Sequence, residues 1–231
     1  MKVLVVSDIH SNPFPLRIAL EENYDKAIFL GDSVDYGPYP GEVIDLLKEN
    51  FDIHIMGNHD YAVAYGVDCK CGEENHDISV YSRENITLKL LSKEDIDFLK
   101  KFKESDSIIS GSTEINIYHG APWDHLYGYI FPWKVETLNS KGQFGSDDGD
   151  YFLIGHTHHQ FILTKGGKTF INPGSLGQPR DIIGFPSYLI MDMEKYSFEF
   201  KRVKYDKTKL YSEIEKIVND PHMQIRLKAM F

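Results

Sequence analysis

Short apolar runs that end in glycine-rich polar islands limit most strongly what this chain can fold into. Residues 3–7, 27–30, 53–56 and 151–154 are mostly apolar, several with β-branched side chains, as expected of strands buried on both faces. Helical patterns separate the first three. Residues 13–22 follow Asn12 as a cap and carry Pro13 in the first turn. Residues 41–49 place Val43, Ile44, Leu46 and Leu47 on an inner face. The order β-α-β-α-β predicts a central sheet with helices outside. Residues 61–78 show little periodicity and read as a loop or short lid, within a lid or insertion over 61–105. Helices are predicted over 80–90 and 92–102, the second opened by a capping box from Ser92 to Asp95. Hairpins are predicted over 108–119, turning near Gly111 and Ser112, and over 161–171 around Gly166-Gly167. Residues 187–193 and 198–205 read as paired strands, 207–218 as a surface helix, and Pro221 as the start of a last short helix.

The islands bring together residues of one chemical kind. They are Asp8-Ile9-His10, Gly31-Asp32, Gly57-Asn58-His59-Asp60, His119-Gly120 and Gly155-His156-Thr157-His158. Carboxylates, imidazoles and one amide oxygen are donors for hard or borderline divalent metals. Side chains two apart on an extended backbone share a face, so Asp8 is expected to point with His10, and His156 with His158. Asp32 and Asn58 come from two further strand ends. A carboxylate can bridge two cations and a neutral imidazole cannot, which makes Asp32 or Asp8 the bridge if two metals bind. Glycines at 31, 57 and 155 let the backbone turn sharply or approach closely beside these residues.

Composition narrows the partners. A chain of 231 residues suits one α/β domain over 1–231. The formal net charge of −10 argues against a broad nucleic-acid surface. It leaves room for a phosphorylated small-molecule or nucleotide substrate, because bound cations make a site locally positive. No apolar stretch is long enough to span a bilayer. The first strand begins at Lys2, too early for a signal peptide, so a cytoplasmic location is expected. Cys69 and Cys71 are one residue apart, too close for an unstrained disulfide.

In this order the islands resemble the motif set of the calcineurin-like metallophosphoesterase superfamily, over residues 2–193. The length and the Asn172-Pro173-Gly174-Ser175 stretch resemble its small bacterial and archaeal phosphodiesterase branch. The resemblance implies an α/β (α+β) fold, a four-layer α/β/β/α sandwich of two mixed sheets flanked by helices. It implies two divalent transition metals, Mn first, with Fe, Ni, Co or Zn as alternatives. Asp8, His10, Asp32 and His158 would hold one, and Asp32 as bridge, Asn58, His119 and His156 the other. Phosphomonoesters or phosphodiesters would be hydrolysed by a metal-bridged hydroxide, with His59 as general acid and Asp60 orienting it. Phosphoprotein phosphatases of the superfamily carry an Arg in a Gly-Asp-x-Val-Asp-Arg-Gly stretch. Here the stretch is Gly31-Asp32-Ser33-Val34-Asp35-Tyr36-Gly37, which weakens that alternative and leaves Arg180 as a substitute anion contact. Asp35 reads as a partner of a ligand or as a turn residue. Phosphoprotein phosphatase, dinucleoside polyphosphate hydrolase and non-enzymatic scaffold remain the alternatives.

Three features stand outside the motif set. Cys69, Cys71 and His76 read as a solvated loop, with an accessory metal site as the alternative. The aromatic stretch 123–133 reads as packing on the core, with nucleobase stacking as the alternative. His54, His125, His159 and His222 read as structural or exposed.

Overall fold

Alternation along the first strand organises the molecule. In the computed structural model, which describes residues 1–111, 113–137 and 150–231, β1 spans Lys2–Val6. Val3 and Val5 face one way and pack with Ile28, Leu30 and Ile55 against Ile115, Ile117, Leu153 and Ile171 of a second sheet. Leu4 and Val6 face the other way, onto Leu16, Val43, Ile44 and Leu47 of the helices. Both faces of β1 are dry from Val3 to Val6, which is why the strand carries no polar residue between the exposed Lys2 and Ser7. Each such aliphatic side chain contributes roughly 1.5–3 kcal/mol when buried.

The first sheet has the order β10-β9-β1-β2-β3. Parallel β1, β2 (Lys26–Phe29) and β3 (Ile53–His54) are joined by α1 (Pro13–Ala19) and α2 (Pro40–Asn50), and antiparallel β9 (Ser187–Asp192) and β10 (Ser197–Arg202) complete it. The second sheet has the order β4-β5-β6-β8-β7. Its parallel centre is β5 (Thr113–Tyr118), β6 (Tyr151–Leu153) and β8 (Lys168–Pro173), with hairpin partners β4 (Ser105–Ser110) and β7 (Gln160–Lys165) at its edges. The result is the expected sandwich of two mixed sheets flanked by helices. Phe152 and Phe170 on the outer face of the second sheet are covered by Ala121 and Ile130 of the connection after β5. Ser112, expected in the β4–β5 turn, lies outside the described residues.

Residues 61–78 form the expected loop only in part: 67–72 are irregular, and the flanking stretches are helical. Helix α3 covers Asn58–Tyr65 and ends at Gly66, which is left-handed (φ 67°). Helix α4 covers Glu73–Ser82, passes through a π-helical turn at Arg83–Thr87 and ends in the short α5, Leu88–Leu90. In α3 the polar Asn58, His59 and Asp60 are buried alongside Ala62, Val63 and Ala64. Polar and apolar positions therefore do not separate onto faces, and the periodic signal disappears. The capping box forms as expected: Ser92 Oγ accepts from Asp95 N at 3.2 Å and opens α6, Lys93–Leu99. Helices α7 (Thr208–Ile217) and α8 (Pro221–Ala229) pack with α4 around Tyr36. Among the described residues no helix is long and apolar enough to cross a membrane.

Candidate metal centre and substrate pocket

Every residue of the five islands lies just beyond the C-terminal end of a parallel strand, where two sheets end side by side. Asp8 and His10 do point into one donor group, though not because their backbone is extended, while His156 and His158 enter two adjoining groups. Strand β1 stops at Val6 and β6 at Leu153. Asp8, His10, Asp32, His156 and His158 all adopt left-handed φ between 48° and 65°. Non-glycine residues rarely do so, at a cost of order 1–3 kcal/mol each, and such conformations persist only where surrounding contacts enforce them. The contacts are present. Ile9 and His10 both donate their N–H to Asp32 O (2.9 and 3.1 Å), and Gly177 N–H donates to Asp8 O at 2.8 Å.

Two groups of donors result, both buried. Asp8, His10, Asp32 and His158 form one; Asp32, His119 and His156 form the other, so Asp32 is common to both. In the first, His158 Nε2 lies 3.2 Å from Asp8 Oδ1 and 3.3 Å from His10 Nε2. In the second, His119 Nε2 faces His156 Nδ1 at 3.1 Å, Asn58 Oδ1 at 3.2 Å and Asp32 Oδ2 at 3.3 Å. The outer nitrogens are already engaged. Nδ1 of His10, His119 and His158 lies 3.0, 2.7 and 2.7 Å from the carbonyls of Val34, Leu30 and Gln178. A donated Nδ1–H leaves each Nε2 lone pair pointing inward, the usual support of a metal-binding imidazole. Asp8 Oδ1 and His156 Nε2 are buried without a hydrogen-bond partner. Lone pairs crowded at these separations fit divalent cations between them.

Charges within the cluster shift one another. Burial alone would raise Asp8 and Asp32, but His158 beside Asp8 and His119 beside Asp32 hold both below the usual carboxylate range. Burial pushes His10, His156 and His158 down. His119 rises to about 9 against its burial, chiefly because of the Asp32 charge.

His59 sits at the edge of this cluster, with its backbone N–H on Asp32 Oδ1 (2.8 Å). Its ring Nδ1 lies 2.8 Å from Asp35 Oδ2, the same oxygen that accepts from Arg83 Nε at 3.1 Å. Burial opposes its charge, yet Asp32 and the Asp35 hydrogen bond raise it to about 9. The residue expected to orient this imidazole, Asp60, does not touch it. Its carboxylate accepts instead from the N–H groups of Asp32 (2.8 Å), Ser33 (2.9 Å) and Gly57 (3.1 Å) and from Ser33 Oγ. As third residue of α3 it faces back along the helix axis, away from its neighbour's ring. Burial and then the Asp32 charge raise it to about 7. Arg83, in the π-helical turn 25 residues beyond Asn58, carries no motif and was not legible in the sequence.

A cavity of about 330 Å³ opens onto Asp32, Asn58, His59, His156 and His158, and Arg180, whose backbone N–H donates to His158 O at 3.2 Å, also lines it. Tyr36 does not reach it: the side chain is buried, its ring 4.9 Å edge-on to His10. The aromatic stretch divides its role. Ile130 and Trp123 pack on the second sheet. Tyr129 and Phe131 line the cavity, stacked 5.5 Å apart, with Tyr129 4.0 Å from the His156 ring. His76 is paired with Asp68 on the surface, away from the thiols. His54 stacks on Phe102, His125 on Tyr118, and His159 Nδ1 contacts Thr157 O.

Comparison with known proteins agrees with this geometry. The model of the calcineurin-like phosphoesterase superfamily domain matches residues 1–196. An uncharacterized protein of Methanocaldococcus jannaschii is 31% identical over 237 residues, covering 93% of this chain and 92% of its own. The serine/threonine-protein phosphatase 2 of Escherichia coli is 26% identical over 192 residues, covering 75% and 87%. The crystal structure of a metallophosphoesterase from Sphaerobacter thermophilus superposes with a TM-score of 0.77 at 26% identity, over 100% of this chain and 99% of its own.

Proposed function

The chain belongs to the calcineurin-like phosphoesterase superfamily, and on that premise we propose that it is a metal-dependent phosphoric ester hydrolase. Its substrate would be a phosphomonoester or phosphodiester of a small molecule or nucleotide. The observation that carries this reading is the convergence of inward-facing donors from both sheets beside an open cavity. Asp8, His10, Asp32 and His158 would hold one divalent ion, and Asp32, Asn58, His119 and His156 a second. Mixed oxygen and nitrogen donors suit Mn, Fe, Co, Ni or Zn, with availability deciding among them, and Mn²⁺ is the ion we propose first. When bound, the ions supply Lewis-acid polarisation of the phosphoryl group and acidify water. The chain's own residues do the rest. Arg180 neutralises substrate charge at the cavity rim, and the α3 N-terminus at Asn58 favours an anion. His59, held by Asp35, donates the proton that the leaving alkoxide requires.

Phosphoprotein hydrolysis is the weaker reading. Similarity to the Escherichia coli phosphatase favours it, but Tyr36, at the position of the phosphate-gripping Arg, is buried away from the cavity. The test is hydrolysis of a chromogenic ester by the Mn²⁺-loaded protein. We expect chelation, and separately Asp32→Asn, to lower turnover by about 10²-fold or more. Activity undiminished by both would rule the reading out.

A further inference from the structure

A third donor group adjoins the cavity. Cys69 Sγ, Cys71 Sγ and one ring nitrogen of His59 lie within 4.8 Å of one another. Cys69 is buried and Cys71 half-buried at the cavity wall. The arrangement is held by the backbone. Lys70 between them is left-handed (φ 50°), an uncommon conformation for a long side chain, and it brings the two thiols to 3.0 Å. The carbonyl of Cys69 is fixed by Asn58 Nδ2 at 2.8 Å, and its sulfur by Ser79 Oγ at 3.2 Å. Two thiolates and an imidazole are the donor set of a zinc site with one open position. Zinc–sulfur bonds of about 2.3 Å require sulfurs about 3.8 Å apart at a tetrahedral angle. The observed pair reaches that by opening under an ångström, on the half-exposed side of Cys71.

We propose that Cys69, Cys71 and His59 form a separate site for a thiophilic divalent ion, Zn²⁺ in nature, whose binding withdraws His59 from the substrate. Soft thiolates select such an ion over Mn²⁺, so the two kinds of metal act in opposite senses: Mn²⁺ in the buried cluster supports hydrolysis, Zn²⁺ at the thiols arrests it. The inhibitory consequence rests on the proposed proton donation by His59; the binding does not.

The test uses the full chain with reduced thiols, loaded with Mn²⁺ and titrated with Cd²⁺ as probe. Thiolate-to-cadmium absorption and ester hydrolysis are followed together. One equivalent of Cd²⁺ is expected to develop the absorption while turnover falls at least tenfold. The Cys69→Ser, Cys71→Ser double variant should lose both effects. Cys71→Ser alone, at a half-exposed position, should lose most of the absorption and serves if the double variant fails to fold. His59→Ala should keep the absorption with affinity weakened tenfold or more. Absence of thiolate absorption in the parent chain overturns the site. Unchanged Cd²⁺ affinity in His59→Ala overturns the three-donor assignment. Inhibition that survives in the double variant overturns the regulatory consequence. A parent chain that gains the absorption but never hydrolyses ester contradicts the proposed hydrolase, not the thiol site.

Discussion

One carboxylate oxygen, Asp35 Oδ2, faces both His59 and Arg83, and that shared contact is what distinguishes His59 from the other site histidines. In His10, His119 and His158, Nδ1 lies against a neutral carbonyl and Nε2 faces the cluster. A carboxylate partner instead favours the charged imidazole. Cations bound at Asp32 would offset that residue's charge and leave Asp35 as the main support of protonated His59. We therefore expect Asp35→Asn to lower turnover about 10–100-fold and to move the alkaline limb of the rate profile to lower pH, since removing the carboxylate lowers the folded pKa of His59. A limb that stays in place would assign the proton to another group. His59→Ala should cost about 10²–10⁴ in turnover, and far less with an ester whose leaving group needs no proton.

At the level of elements, the strands end early and their continuations fold back in left-handed turns, packed so closely that side-chain volume matters. A Cβ on Gly57 would meet Asp32 N and Oδ1, both at 2.2 Å, whereas one on Gly41 in α2 would meet nothing within 4 Å. Gly57→Ala is expected to destabilise the protein by about 1–3 kcal/mol and to reduce metal content by displacing Asp32. Gly41→Ala should be neutral or mildly stabilising, because it removes only unfolded-state freedom. Denaturant midpoints and metal analysis of the two variants check this. The same tight packing explains why α3 escaped the sequence reading. A helix whose first turn is a polar site and whose remainder is core shows no amphipathic period.

For the whole molecule, the central strain is electrostatic: two carboxylates and four imidazoles share a buried junction between two sheets. His59 and His119 are raised from 6.5 to about 9. A base whose folded pKa is raised contributes stability that is complete below its unfolded pKa and lost as pH rises through the folded one. The metal-free protein should therefore lose thermal stability between about pH 6.5 and 9. Metal loading should raise the melting temperature and flatten that slope. Because His119 must give up a proton to present Nε2, loading near neutral pH should release protons. Calorimetric titration in two buffers of different ionisation enthalpy measures this, and equal heats in both would contradict it.

The amino-acid sequence by itself determined which strands would be buried on both faces, because unbroken apolar runs such as 3–6 cannot meet water on either side. It also determined the donor types and their order, and through them the family resemblance and the sandwich architecture. Tertiary structure alone decided how those donors meet. Asp8 points with His10 through left-handed turns pinned by Asp32 and Gly177, long-range contacts that no local pattern encodes. It likewise decided that His59 pairs with Asp35 and Arg83 while the adjacent Asp60 braces the loops. Neighbours in sequence at a helix start diverge by about 100° around its axis, whereas a partner 24 residues away can be brought within a hydrogen bond.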